Sequence, residues 1–186
     1  MPGAAPYFAY FGAGAGSPGQ GYYSYTVGPW NVIALNSEVF AGAGSAELMW
    51  LRNELTTNRS ACTAVYWHRP LFSSGRHGDN QDMRELWRTL YEFNADLVIN
   101  GHDHTYERFA PQDPEGRYDP ARGIREFVVG TGGASLYEFG AVHPNSEVRA
   151  AAWGVAQFTL RGGGFDWEFI PVEGQSFRDF GSAACH

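Results

Sequence analysis

Asp96-Leu97-Val98-Ile99-Asn100-Gly101-His102-Asp103-His104 is the stretch whose reading decides the fold. A short apolar run that stops at a glycine reads as a strand buried on both faces, the pattern of a parallel strand covered on each side. Upstream, Thr63-Ala64-Val65-Tyr66-Trp67 reads the same way. Between the two lies a helix from about Asn80 to Phe93, with Met83, Leu86, Leu90 and Phe93 at a 3.6-residue period. Strand, helix, strand at this spacing is a βαβ crossover and makes the two strands a parallel pair. Further out, Ser45 caps a helix whose Leu48, Leu51 and Leu55 share one face. Tyr22 to Val27 and Trp30 to Leu35 flank Gly28-Pro29 as strand, tight turn, strand. Downstream the chain turns to β: Glu126 to Val129, then Val155 to Leu160 and Phe165 to Pro171 as a hairpin across Arg161-Gly162-Gly163-Gly164. Residues 1 to 21, rich in Gly, Ala and Pro, read as an ordered loop packing Tyr7, Phe8, Tyr10 and Phe11, not as a helix. The class is α/β, and with no internal repeat or linker, residues 1–186 read as a single domain or a large part of one.

Composition narrows the function classes. With 44% hydrophobic and 16% aromatic residues in 186, the chain can build a core and is not disordered. No apolar run approaches the ~18 residues of a membrane span. The formal charge is −7, and all 13 basic side chains are Arg, so there is no electrostatic footprint for nucleic acid. Two cysteines, Cys62 and Cys185, exclude a four-cysteine zinc site and leave two readings open: independent thiols, or one disulfide clasping the tail. Met1-Pro2-Gly3 does not open a signal peptide.

Ligands of α/β proteins gather at the carboxyl ends of parallel strands. Trp67-His68-Arg69-Pro70 ends one such strand and Gly101-His102-Asp103-His104 the other, so His68, His102 and His104 emerge on one edge. Three imidazoles there make a metal-site pattern. Gly101 supplies a sharp turn that lets both following histidines face one centre. Gly130-Thr131-Gly132-Gly133 is not a phosphate loop, because no helix pattern follows it.

Tyr66-Trp67-His68-Arg69-Pro70-Leu71-Phe72-Ser73-Ser74-Gly75 and Gly101-His102-Asp103-His104-Thr105-Tyr106-Glu107-Arg108 resemble the calcineurin-like metallophosphoesterases, and within them the purple acid phosphatase branch. The likeness continues through Gly21-Tyr22-Tyr23-Ser24-Tyr25 and Val128-Val129-Gly130-Thr131-Gly132-Gly133. It implies a sandwich of two mixed sheets covered by helices, a metallo-dependent phosphatase fold. It implies two metal ions (iron, manganese or zinc), with His68 and His102 on one and His104 on the other. His102 and His104 are then catalytic, and a hydroxide between the metals hydrolyses phosphomonoesters. Arg69 and His77 would contact substrate, with a solvent-exposed loop the competing reading for His77. Asp103 would be either an outer partner of the ligands or a solvent-facing loop carboxylate. Arg108 suits a structural salt bridge with its neighbour Glu107, and Tyr106 packs. The tail Phe180 to His186 resembles secreted bacterial members, which favours a Cys62–Cys185 bridge and an extracellular or periplasmic parent.

The departures matter equally. No Asp-x-His and no Gly-Asn-His-Glu/Asp motif occurs, and no Gly-Asp pair precedes His68. Pro2 to Phe8 looks like the segment that follows the Asn-His motif, so the resemblance is to the C-terminal half of the domain, incomplete at its N-terminus. Without a bridging carboxylate, nothing offsets the repulsion of two close cations. One weakly held Zn²⁺ on His68, His102 and His104, or none, is then the most this half offers. Two expectations follow: a chain inactive or poorly folding by itself, or a non-catalytic remnant serving as a binding module.

Overall fold

The computed structural model describes residues 4–186, so the Met1-Pro2-Gly3 opening lies outside the described residues. Helix α1 (Ala5–Phe11) precedes β1 (Tyr23–Val27) and β2 (Trp30–Ala34), which form the expected hairpin with Tyr25 opposite Val32. Helix α2 (Ala46–Thr57) starts at Ser45, whose hydroxyl accepts the Leu48 amide hydrogen at 3.1 Å. Strand β3 (Cys62–Tyr66), helix α3 (Arg84–Glu92) and strand β4 (Leu97–Asn100) are the crossover unit, with Val65 opposite Val98 in a parallel pair. Then come β5 (Tyr106–Phe109), β6 (Arg125–Val129), β7 (Ser146–Ala150), β8 (Gly154–Arg161), β9 (Gly164–Pro171) and β10 (Phe180–Ala184).

The strands form two sheets. The larger, mixed one runs β1-β2-β3-β4-β6-β5-β7, and the smaller is an antiparallel β10-β9-β8. Because β2, β3, β4 and β6 are parallel neighbours, their side chains alternate between two covered faces. Ile33, Val65, Val98 and Val128 point to one face and bury Leu48, Leu51 and Leu55 of α2 and Leu86, Trp87 and Leu90 of α3. Each such side chain contributes roughly 1.5–3 kcal/mol. Trp30, Val32, Ala64, Leu97 and Phe127 point to the other and meet Phe165, Trp167 and Phe169 of β9. The result is helices, large sheet, small sheet. The small sheet is tied down by a bond between Cys62, the first residue of β3, and Cys185, just past β10. No helix among the described residues is long and apolar enough to cross a membrane.

Residues 5–11 correct the loop reading. Seven glycine-free residues with Pro6 in the first turn fold as α1, and Gly12 at φ 53° ends it. Its aromatics do not pack as expected, since Tyr10 is 83% exposed and Tyr7 and Phe11 are also exposed. Strands β5, β7 and β10 carry too many charged or small residues to stand out in the sequence, and only their sheet partners define them.

Candidate metal and active site

The carboxyl ends of β2, β3 and β4 converge on one edge. Beyond β3, His68 carries Nε2 to within 3.2 Å of Nδ1 of His102, which lies just beyond β4. The Gly101 amide donates to the His68 carbonyl at 3.0 Å, which locks the two loops together. The sharp turn expected of Gly101 sits one residue later: His102 itself adopts φ 66°, a left-handed conformation rare for a residue with a Cβ. A Cβ on Gly101 would meet only ordinary contacts, the nearest 3.6 Å away at His68 Nδ1. The unfavourable backbone therefore belongs to the histidine that faces His68, as is common where a site dictates geometry.

His77 stacks on His102 with ring centroids 4.2 Å apart, and its ring lies 5.6 Å from that of Tyr137. His104 stacks face to face on Tyr137 at 4.1 Å, and its Nδ1 lies 2.8 Å from the Ser135 carbonyl oxygen. That carbonyl accepts a hydrogen bond from Nδ1–H, which leaves the lone pair on Nε2, the arrangement of a ligand imidazole. Burial pulls the His68 and His102 pKa values below the ordinary imidazole value, helped at His102 by the neighbouring His77 and His68. Neutral rings present lone pairs.

Asp103, between the two histidines, is fully buried, which overturns the solvent-facing reading. Its carboxylate accepts from the Ser73 hydroxyl at 2.5 Å and from the His77 amide at 2.9 Å. It thus brackets the 73–77 loop and positions His77. Arg69 is held by Glu38 through Nε at 2.6 Å and Nη2 at 3.1 Å, so its guanidinium is occupied. Arg108 does form a structural salt bridge, but with Asp179 and Glu147 and not with Glu107. Adjacent residues of β5 point to opposite faces. Glu107 accordingly turns inward, accepting from the Ser74 amide at 2.8 Å and from the Ser146 hydroxyl. Tyr106 is buried, and its hydroxyl donates to Asp179 at 2.6 Å.

Sequence reasoning missed Glu38, Arg76 and Tyr137 at this edge. Glu38 was findable, because β2 runs parallel to β3 and its end must share the same edge. Tyr137 and Arg76, whose guanidinium sits 5.6 Å from the Tyr137 ring centre, lie on loops with no periodic signal.

The donor set fits one metal ion and not two. Two imidazole nitrogens bound at 2.0–2.1 Å to a tetrahedral ion stand about 3.3 Å apart, close to the 3.2 Å between His68 and His102. Yet among the described residues no carboxylate and no third imidazole joins them in a group whose donor atoms are all within 4.8 Å. Glu38 is turned to Arg69 and Asp103 to Ser73 and His77, so nothing here bridges two cations.

The chain and its fold have known relatives. A family model described as calcineurin-like phosphoesterase matches residues 4–106. Purple acid phosphatase 18 of Arabidopsis thaliana is 30% identical over 125 residues, covering 64% of this chain and 28% of that protein. An uncharacterized protein of Mycobacterium tuberculosis is 28% identical over 163 residues, covering 69% of this chain and 31% of its own length. Among solved structures, purple acid phosphatase PPD1 from yellow lupin (Lupinus luteus) seeds superposes with a TM-score of 0.82 at 20% identity, over 91% of this chain and 34% of its own. GAP50, the anchor in the inner membrane complex of Plasmodium, superposes with a TM-score of 0.71 at 17% identity, over 89% of this chain and 53% of its own. The chain spans between 19% and 31% of the length of these curated relatives and of purple acid phosphatase 15 of Arabidopsis thaliana.

Proposed function

This chain belongs to the calcineurin-like phosphoesterase family, with purple acid phosphatases among its relatives, and on that premise we propose that it carries the imidazole side of a metal-dependent phosphomonoesterase site. The observation that supports this reading is the convergence of His68 and His102 at 3.2 Å, with His77 stacked on the second ring. His68 and His102 would hold one ion, and His104, fixed by Ser135 and Tyr137, would face a second. Iron, manganese or zinc all suit imidazole donors. When bound, the metals supply Lewis acidity toward the phosphoryl oxygens and an activated water. The protein's part is orientation: Asp103 fixes the 73–77 loop so that His77 meets the phosphate, while Glu38 holds Arg69 back from it. The carboxylate side of a two-metal centre would come from chain beyond these 186 residues. A Cys62–Cys185 bond supports an extracellular or periplasmic setting for the whole protein.

Elemental analysis of the 186-residue chain after dialysis against zinc tests the reading. About one ion per chain is expected, and His102→Ala should weaken its retention tenfold or more. Retention unchanged in both His68→Ala and His102→Ala would overturn the ligand assignment. In the longer protein, His102→Ala should lower phosphomonoester turnover at least ~100-fold.

A second reading, a non-catalytic binding module, draws on the missing carboxylate at the histidines. Purified chain with no retained metal and no phosphomonoester hydrolysis, alone or with the rest of the protein, would favour it.

A further inference from the structure

The opposite ends of the same two strands carry a second group of donors. Cys62 opens β3, Asp96 immediately precedes β4, and Cys185 and His186 follow β10, so the cluster lies at the amino ends of strands whose carboxyl ends bear the histidines. Sulfur atoms of Cys62 and Cys185 and a carboxylate oxygen of Asp96 all lie within 4.8 Å of one another. His186 lies outside that group but brings an imidazole beside it, its Nδ1 3.3 Å from Asp96 Oδ1. Asp96 is 4% exposed, and its two oxygens accept only backbone amides, Thr63 at 2.8 Å and His186 at 2.9 Å. A disulfide alone needs neither a buried carboxylate nor an imidazole beside it. Two sulfurs, one carboxylate and one imidazole are the donor count and chemistry of a tetrahedral zinc site.

We propose that when the Cys62–Cys185 bond is reduced, Cys62, Asp96, Cys185 and His186 bind a single Zn²⁺. The chemistry balances as follows. A dithiol transfers two electrons and two protons to the disulfide, leaving two protein thiols and its own cyclic disulfide. Zn²⁺ then displaces both thiol protons to solvent. Two thiolates, one carboxylate and a neutral imidazole around the dication leave a net charge of −1. In a tetrahedral site with Zn–S bonds of about 2.3 Å, the sulfurs stand about 3.8 Å apart. Cα atoms 5.7 Å apart accommodate that through side-chain rotation without moving either strand. Cys185 is partly exposed, which gives the reductant access, whereas Cys62 is buried. The tail would therefore stay pinned to β3 in either redox state, by a covalent bond or by the metal.

Cobalt(II) separates this site from the histidine edge, because thiolate-to-cobalt charge-transfer absorption arises only from sulfur ligands. The full chain, reduced with a thiol-free phosphine, should develop that absorption to saturation at one cobalt per chain, and one equivalent of zinc should abolish it. The oxidised chain should show none. His186→Ala and Asp96→Asn should each weaken cobalt binding tenfold or more. No sulfur absorption in the reduced chain would overturn the proposal. So would undiminished affinity in both variants, since the two sulfurs would then act without Asp96 and His186. Far-ultraviolet circular dichroism of the same samples guards against misfolding, and urea unfolding is done on the reduced His68→Ala/His102→Ala chain, which lacks the histidine edge. Zinc must still raise its urea midpoint, and a midpoint that does not move counts against the site.

Discussion

Two buried carboxyls set opposite pH dependences on this fold. Burial alone would raise the Asp179 pKa, but Arg108, Tyr106 and the Trp167 indole all donate to its oxygens and hold it below the usual carboxylate range. A lowered folded pKa contributes stability above the unfolded value of about 3.9 that is lost as pH falls through the folded one. Asp179→Asn should therefore cost about 3 kcal/mol at neutral pH, since Arg108 would lose its best partner, and the loss should shrink below pH ~4. Urea unfolding at a series of pH values measures both. Glu47 behaves in reverse: burial pushes it up to about 7, against the Asn36 amide that donates to it at 2.6 Å. Its folded state binds more protons than its unfolded state between pH ~4.5 and 7, so stability falls as pH rises through that window. Glu47→Gln should remove that slope and gain up to about 3 kcal/mol above pH 7. Equal slopes for wild type and Glu47→Gln would show that Glu47 ionises normally.

At the scale of elements, loop packing decides the histidine geometry. A Cβ on Gly130, at the end of β6, would lie 2.0 Å from the Asp103 carbonyl oxygen, so Gly130→Ala must displace the backbone between His102 and His104. That should cost about 2–3 kcal/mol and weaken metal retention tenfold, whereas Gly132→Ala, which meets nothing within 4 Å, should change neither. Unchanged retention in Gly130→Ala would detach the histidines from that turn. The elements that built the site were legible because their cores are periodic. Leu97 and Val98, and the Met83-Leu86-Leu90 spacing, report burial directly. The loops were not, because their order comes from distant partners. Asp103 finds Ser73 and His77, and Glu107 finds Ser74 and Ser146. The single-site turn was misplaced by one residue for the same reason: Gly101 has the permissive chemistry, but the His68 contact puts the left-handed φ on His102. The parallel pairing of the two strands set His68, His102 and His104 at one edge, and resemblance added only the expectation of how they divide between metals.

For the whole molecule, the question is what holds the small sheet against the large one. Its attachments are the aromatic layer of Trp30, Phe127, Phe165, Trp167 and Phe169, the Asp179 network, and the Cys62–Cys185 bond. The bond closes a separation of 123 residues, for which loop-closure entropy gives close to 5 kcal/mol as an upper figure, with about 2–4 kcal/mol the usual yield. β10 is an edge strand whose Phe180 is 75% exposed and whose other residues are small, so beyond its ladder with β9 few side chains secure it past Asp179. Reduction in the presence of a metal chelator should therefore lower the urea midpoint, and amide exchange should rise first in β10, then in β9, while β3 and β4 stay protected under α2 and α3, which cover one face of the large sheet. If exchange rises uniformly across both sheets, the molecule unfolds as one unit and the bond stabilises all three layers equally. If it rises at β10 alone and zinc restores it, the tail is a separately opening segment, and the clasp at the amino ends of β3 and β4 controls it without disturbing the histidine edge at their carboxyl ends.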